Sequence, residues 1–343
     1  MQNDINMNED INNDTQDELK YLKKRYSYTG LSYCIYMAVI MIAVVAAQLL
    51  VRELLPDVYG TSIATMLLGT LPMWIVGTPV CYLLLRRKGF TQPAVNKVKL
   101  GKLLQYFMIG ITCMFVGNLI GNVLASIISS VTGTEIQNST MDIIGDQNMV
   151  VILILVVIVG PIVEELLFRK LLIDAIGVYS PSHAVFLSGI MFGLFHMNLY
   201  QFFYAAMLGM IFAYVYMISG QIKYTIIMHQ IVNFMGGFMP MLCLSLMKQD
   251  YITQLAEFGD EGPDAQLIFE MLSDPGVMLY GVHICIYLLC GFIGVICFAL
   301  NIGKMKLYHG NPVLKFRHTI LNPGMIAFVV VCILLMILNM LPS

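Results

Sequence analysis

The sequence predicts an all-α fold, a polytopic membrane helical bundle of about nine transmembrane helices with its core in the fourth to seventh spans. Of its 343 residues, 58% are hydrophobic and 12% are charged, whereas about a quarter of the residues in soluble domains are charged. A chain with so few charges could not cover its surface in water. Nine spans of about 22 residues would use about 200 residues, which matches the apolar fraction.

Nine apolar runs follow a polar N-terminal segment. Residues 1–28 are rich in Asn, Asp and Glu, and we expect a disordered cytoplasmic tail there. Each run is long enough to cross the bilayer as a helix, although the fifth and sixth are minimal. The runs are 31–51, 61–85, 103–130, 149–176, 181–198, 200–219, 222–247, 277–300 and 320–341. Beyond the tail we therefore expect N-terminal membrane helices (29–148), a central core (149–247), an acidic outer loop (248–276) and C-terminal membrane helices (277–343).

The basic residues predict an orientation. If the tail is cytoplasmic, every Lys and Arg except Arg52 and Lys248 falls in a cytoplasmic segment, as the positive-inside rule requires. We therefore expect a multi-pass protein of the cell membrane, surrounded by lipid, with its N-terminus in the cytoplasm and its C-terminus outside. The formal net charge of −2 offers no basic face to nucleic acid, so no nucleic-acid partner is expected.

One dense cluster of polar residues lies within the apolar runs. An ionisable side chain at the centre of a membrane helix costs about 2.5 to 3.5 kcal/mol on insertion scales, so each one suggests a function. Outside spans four to seven, the comparable residue is His283, for which a structural role is the simpler interpretation. Six costly residues in those four spans favour a shared functional site over a packing role: Glu164, Glu165, Arg169, His196, His229 and Asn233.

The fourth and fifth spans predict a helical hairpin that brings part of this cluster together. Its turn, 177–181, is marked by Gly, Ser and Pro. Glu164 and His196 are each roughly 22 to 25 Å from that turn at about 1.5 Å per residue, so we expect them to face each other. Gly189 and Gly193 lie on the helix face that continues to His196 and would let a neighbouring helix approach closely.

Helical spacing within the cluster suggests roles. Glu165 and Arg169 are four residues apart and can pair, which offsets part of the cost of burying both. Glu164 points about 100° away from Glu165 and remains free, in an apolar setting that suits a general base. His229 and Asn233 are also four residues apart, roughly 10 to 17 Å deep from the same side, and could converge on one acceptor.

Three motifs that contain these residues resemble those of a known family. Residues 164–169 match EExxxR, residues 192–196 match FxxxH, and residues 229–233 match HxxxN. These are the motifs of the CPBP family, the CAAX-prenyl-endopeptidase-like and bacteriocin-processing intramembrane proteases often labelled Abi. The resemblance covers about residues 155–240, with no mismatch at a motif position.

The resemblance implies an intramembrane endopeptidase, with 149–247 as its catalytic core and a membrane-associated peptide or protein as its substrate. It also implies a role for each motif residue. Glu164 with His196 would activate a water, His229 and Asn233 would stabilise the oxyanion, and Glu165 with Arg169 would support the site. Prenylated substrates are not required, because the family extends to unmodified peptides.

The sequence leaves the metal question open. Glu164, His196 and His229 could supply the two-His, one-carboxylate ligand set of a catalytic zinc. There is no HExxH helix, however, and Asn233, one turn after His229, is more typical of an oxyanion donor. We therefore favour metal-free glutamate chemistry without a cofactor and keep zinc as the alternative.

Two other functions fit a membrane bundle. A non-catalytic scaffold, regulator or bacteriocin-immunity protein could use the same fold, although the intact motifs count against it. A secondary transporter could use the charges as a proton path, but it would predict an internal repeat, and no second EE or HxxxN string occurs in the other half of the chain. Mutation of Glu164 distinguishes the enzyme from the scaffold.

Overall fold

The computed structural model describes residues 2–133, 136, 148–248, 250–251 and 265–340. Over these residues the regular secondary structure is entirely helical. The helices are α1 (Gln2–Leu54), α2 (Ser62–Arg86), α3 (Leu100–Thr132), α4 (Met149–Ile176), α5 (Pro181–Phe195), α6 (Leu199–Ser219), α7 (Ile222–Leu246), α8 (Ala265–Leu272), α9 (Pro275–Asn301), α10 (Phe316–Ile320) and α11 (Pro323–Met340).

Within the described residues, eight helices are long and apolar enough to cross a membrane: α1, α2, α3, α4, α6, α7, α9 and α11. The predicted fifth span corresponds to α5, a shorter apolar helix of 15 residues, about 22 Å long at 1.5 Å per residue. It starts at Pro181, after the predicted turn, and ends where Met197 takes a positive φ of 49°. The chain is a multi-pass membrane protein with an all-α bundle fold, as predicted.

The N-terminal segment differs from the prediction of a disordered tail over residues 1–28. The structure is helical from Gln2, so this segment is the first part of α1. Leu22 and Tyr26, one turn apart on the same helix face, are buried, and this apolar face explains the order despite the polar composition. Arg25 is also buried, and its guanidinium donates hydrogen bonds to the carbonyl oxygens of Lys88, Gly89 and Ala175.

Helix α6 is the centre of the bundle. Of its most apolar stretch 67% is buried, against 39% or less in the other seven long helices. It packs along α3 on one side and α5 on the other. A Cβ atom at Gly189 would lie 2.6 Å from the carbonyl oxygen of Ala206, and one at Gly193 would lie 2.6 Å from that of Phe202. The predicted close approach at these two glycines is therefore present, and its partner is α6.

Three π-helical segments interrupt the long helices near the motif residues. In α4, the segments Leu153–Val159 and Leu166–Leu171 flank one α-helical turn, Gly160–Glu165, which carries both glutamates. In α7, the segment Phe234–Phe238 starts directly after the HxxxN motif. Because a π segment rotates the residues after it relative to a regular helix, these segments decide which side chains of α4 and α7 face each other.

The predicted acidic outer loop, 248–276, lies largely outside the described residues. Its described C-terminal part contains α8 and the start of α9. Asp274 caps α9, because its side chain accepts hydrogen bonds from the main-chain nitrogens of Gly276 and Val277 at 2.9 and 3.1 Å. At least one acidic residue of this loop thus stabilises the structure, as the N-cap of a helix.

Candidate active site

Glu165 and Arg169 form the predicted pair on α4. The Arg169 Nε atom lies 3.1 Å from Glu165 Oε2, and both side chains are completely buried. The contact is an ion pair by distance without hydrogen-bond geometry, and the guanidinium nitrogens have no hydrogen-bond partner. The guanidinium carbon instead lies 4.6 Å from the centre of the Phe192 ring and 5.8 Å from that of Phe212. Cation–π attraction to these two rings offsets part of the burial cost.

His229, on α7, contacts both glutamates of α4. Its Nδ1 atom lies 3.0 Å from Glu165 Oε1, and its Nε2 atom lies 3.5 Å from Glu164 Oε2. When Glu165 is ionised, Nδ1 carries a proton for it, and Nε2 is left facing Glu164. One imidazole ring therefore joins the first and third motifs. Each of its two nitrogens faces a different carboxylate, so the two glutamates have different surroundings.

Glu164 is the more accessible of the two glutamates. Its side chain is 18% exposed, whereas that of Glu165 is fully buried. The Glu165 carboxylate is held by Arg169 and His229, whereas Glu164 makes a longer contact of 3.5 Å to His229. This agrees with the expectation that Glu164 is the carboxylate left free by the pair.

His196 does not meet Glu164 as directly as the hairpin predicts. It is the half-buried residue that follows α5, and among the described residues no hydrogen bond or ion pair joins it to Glu164. Its ring packs edge-on against Phe192 at 5.0 Å between centres, and Phe192 packs against the His229 ring at 5.7 Å. Phe192 and His196 are four residues apart, and His196 keeps helical backbone angles at the end of α5, so the two rings meet on one face of that helix.

Asn233 does not converge with His229 on one acceptor in this structure. Its Nδ2 atom donates to the carbonyl oxygen of Val156 at 2.9 Å, and Gln230 donates similarly to Ile158 at 3.0 Å. Both acceptors belong to the first π segment of α4. The polar side chains of α7 thus bind the main chain of α4, which holds the HxxxN motif beside the two glutamates.

The predicted zinc ligands do not assemble as a set. Glu164 and His229 are in contact, but no hydrogen bond or ion pair joins His196 to Glu164 among the described residues. In the part of the chain that the structure describes, no group of three or more His, Cys, Asp and Glu side chains is arranged to hold a metal ion. The residues present therefore do not fit a tridentate zinc site, and no zinc ligand is assigned.

Helix α1 contributes two tyrosines to the surroundings of the site, and the three motifs gave no indication of this. The Tyr33 hydroxyl donates to the carbonyl oxygen of Leu167 at 2.6 Å, within the second π segment of α4. Tyr36, one turn later, stacks on Phe195 with 5.6 Å between ring centres. Both tyrosines are fully buried. Their spacing on one face of the first span is the signal that could have placed them in the core.

Comparison with protein families identifies the region that contains these motifs. Residues 146–235 match a family model described as Type II CAAX prenyl endopeptidase Rce1-like. All six residues of the polar cluster lie within this match. The chain matches no curated protein and no solved structure. Over residues 146–235 the chain is therefore similar to the Rce1-like family, and the resemblance to the CPBP family of intramembrane proteases is confirmed for this part of the chain.

Proposed function

We propose that the chain is an intramembrane endopeptidase that hydrolyses a peptide bond of a membrane-associated peptide or protein. The observation that carries the proposal is the division between two adjacent carboxylates. Glu165 is fully buried and engaged by Arg169 and His229, whereas Glu164 is partly accessible and faces His229 Nε2 at 3.5 Å. An accessible carboxylate beside an imidazole, within the membrane-spanning part of a protease-family domain, suits general-base hydrolysis.

In the proposed reaction, Glu164 takes a proton from water while the water oxygen bonds to the carbonyl carbon of the peptide. The carbonyl π electrons move to the oxygen, which becomes an oxyanion. Glu164 then returns the proton to the peptide nitrogen as the C–N bond breaks, so that an acid and an amine leave. His196, half-buried at the end of α5, would help to orient the water.

His229 and Asn233 are the proposed donors to the oxyanion. The Glu165 carboxylate at Nδ1 orients the His229 ring, so that Nε2 faces Glu164, and a proton on Nε2 would make it a donor there. Asn233 would have to exchange its hydrogen bond to Val156 for one to the substrate. Such an exchange means that substrate binding rearranges the contact between α7 and α4.

Glu165 and Arg169 are proposed as positioning residues rather than as groups that touch the substrate. Both are fully buried, and Glu165 reaches the reacting groups through His229. A carboxylate that holds one nitrogen of a histidine sets the orientation of the other nitrogen. The proposed chemistry is metal-free, with glutamate as the base and no cofactor.

The orientation of the chain is also a proposal. With the shorter helix α5 counted as a ninth crossing, we infer a cytoplasmic N-terminus and an outer C-terminus from the distribution of Lys and Arg. Labelling of single cysteines with a membrane-impermeant reagent in intact cells tests it. A cysteine introduced at Lys97, between α2 and α3, should be protected, and one introduced at Lys248, after α7, should react. The native cysteines are replaced by serine or alanine in the parent protein.

The decisive experiment for the enzyme compares the wild type with Glu164→Gln and His196→Ala in membranes. Peptidomics of cells that express the wild type or Glu164→Gln identifies candidate substrates, from which a reporter peptide is made. We expect both variants to lose turnover of that peptide while they remain folded and inserted. If both variants retain wild-type turnover, the protease proposal fails, and a scaffold, regulatory or immunity role takes its place.

A further inference from the structure

The hydroxyl group of Tyr36 is a buried donor without an acceptor. The side chain is 0% exposed, and its oxygen has no hydrogen-bond partner. Thr78 Oγ1 lies near this hydroxyl but not in hydrogen-bond geometry with it, and it donates to the carbonyl oxygen of Met73 at 3.1 Å. Because an unpaired polar group is costly to bury, such a hydroxyl in a well-packed core requires an explanation.

The packing of the Tyr36 ring holds the hydroxyl in place. One face stacks on Phe195, the residue before His196, at 5.6 Å and an interplanar angle of 27°. The ring edge lies against Gly77 of α2, where a Cβ atom would come within 2.9 Å of Tyr36 Cε2. A side chain fixed between two helices in this way is a preorganised donor, because its direction does not change when an acceptor arrives.

Tyr36 belongs to the surroundings of Glu164. Phe195, on which the tyrosine stacks, adjoins His196 in the chain. The Phe195 ring also lies 5.3 Å from that of Phe168, four residues after Glu164 on α4, and Tyr36 and Glu164 interact electrostatically. The other donors near Glu164 are engaged in the free protein, since Asn233 donates to Val156 and His229 contacts both glutamates. Tyr36 thus brings an unengaged neutral donor to the same place from outside the residues that match the Rce1-like family.

Arg169 also has unpaired nitrogens in this region, but its surroundings explain them. Its guanidinium pairs with Glu165 at 3.1 Å and lies over the rings of Phe192 and Phe212. These contacts supply negative charge and π density to the cation. The Tyr36 hydroxyl has no hydrogen-bond partner in the free protein, so it is available to an acceptor that the substrate brings.

We propose that Tyr36 is a further catalytic residue, whose hydroxyl donates a hydrogen bond to the peptide oxygen that becomes negatively charged during attack by water. The proposal rests on the protease function proposed above. No proton is transferred to or from Tyr36, and its hydrogen bond strengthens as charge develops on the oxygen. The hydroxyl is not accessible to solvent in the free protein. This suits a donor whose acceptor is a substrate oxygen that enters a site from which water is excluded.

The test uses the purified full-length chain in lipid nanodiscs and a reporter peptide that the wild type cleaves. Tyr36→Phe removes the hydroxyl alone. We expect kcat to fall on the order of 100-fold, as for other single oxyanion donors, with KM within about twofold of the wild type. A phosphinate analogue of the peptide, which mimics the tetrahedral intermediate, should bind more weakly by a similar factor.

Tyr33→Phe is the matched control, because Tyr33 lies one turn earlier on α1 and is equally buried, but its hydroxyl already donates to Leu167. We expect this control to lower the thermal unfolding midpoint, whereas Tyr36→Phe should leave it unchanged or raise it. Loss of an unpaired hydroxyl removes a buried polar group and no hydrogen bond. A lowered midpoint for Tyr36→Phe would show that the hydroxyl is structural and would overturn the proposal.

The Glu164→Gln variant separates this proposal from the one it rests on. If Glu164→Gln is inactive and Tyr36→Phe has wild-type kcat, the Tyr36 proposal is wrong and the protease proposal stands. If Glu164→Gln and His196→Ala both retain wild-type turnover, the proposed hydrolytic site fails and the Tyr36 proposal fails with it. Loss of kcat in both variants, with weakened phosphinate binding in Tyr36→Phe, supports both.

Discussion

His229 Nδ1 lies 3.0 Å from Glu165 Oε1, and this contact joins α7 to α4 across 64 positions of sequence. The same carboxylate pairs with Arg169 one turn along α4. Glu165 is therefore a buried anion shared by a cation of its own helix and an imidazole of another. Its neighbour Glu164, on a different face of the same turn, is left to the accessible side of the site.

The first prediction concerns the two adjacent glutamates. Glu164→Gln should abolish turnover and leave the free energy of unfolding nearly unchanged, because Glu164 takes no part in the pair with Arg169. Glu165→Gln should destabilise the fold by about 3 to 5 kcal/mol, because it leaves the Arg169 cation buried without its counter-ion. Turnover and the thermal unfolding midpoint of both variants check this.

The double variant Glu165→Gln with Arg169→Met supplies the control. Since it removes both charges, it should recover much of the stability lost in Glu165→Gln alone. It should remain impaired in turnover, because His229 no longer has an ionised partner at Nδ1. Equal stability of the Glu165→Gln single variant and the wild type would contradict the assignment of the buried pair.

The second prediction concerns the packing of α5 on α6. An alanine at Gly193 would place its Cβ atom 2.6 Å from the Phe202 carbonyl oxygen and 2.9 Å from the Ala206 nitrogen. We expect a loss of about 1 to 3 kcal/mol from overpacking and reduced turnover, because the helices separate just before His196. Gly281→Ala is the control, since nothing lies within 4 Å of a Cβ at that site in α9. Unfolding midpoints distinguish the two variants, and equal midpoints would exclude a close contact at Gly193.

The third prediction concerns the N-terminal part of α1. Arg25→Ala should reduce stability by about 2 to 4 kcal/mol, because the carbonyl groups of Lys88, Gly89 and Ala175 lose their charged donor. Lys24→Ala, which changes an exposed neighbour on the same helix, should have little effect. Limited proteolysis provides a second measurement, since Arg25→Ala should expose the segment before residue 28 to cleavage. Equally rapid cleavage of this segment in the wild type and in both variants would restore the disordered tail.

The fourth prediction concerns metal removal. Because Glu164 and His229 are not joined by a third ligand in the described part of the chain, we expect turnover to persist after dialysis against a chelator. Elemental analysis of the purified protein should give far less than one zinc per chain. Stoichiometric zinc together with chelator-sensitive turnover, restored by added zinc, would overturn the glutamate mechanism and require His196 to move toward Glu164.

Some of the site could be predicted from the sequence because it depends on local helical geometry. The pair of Glu165 with Arg169 follows from a spacing of four residues on one helix, and the structure confirms it. The close approach at Gly189 and Gly193 was predicted from a face of small residues and is also present. Contacts of this kind need only the repeat of the helix that carries them.

Other contacts depend on how separate helices meet. Helical spacing alone would let His229 and Asn233 share an acceptor, yet one side chain binds Glu165 and the other binds Val156. The hairpin predicted that His196 meets Glu164, but its ring lies beside Phe192, four residues earlier on α5. A shift of one residue in a π segment changes such outcomes, and no sequence spacing specifies it.

The sequence by itself determined that this is an all-α membrane protein, because 12% charge cannot cover a soluble surface, and it determined which six residues are too costly to lie in the bilayer without a reason. Tertiary structure decided how those residues pair, which glutamate remains accessible, and that α1 contributes Tyr33 and Tyr36 to the core. The physical reason is the distance along the chain over which each effect acts. Burial cost and helical period act within a few residues, whereas the partner of a side chain depends on the packing of whole helices.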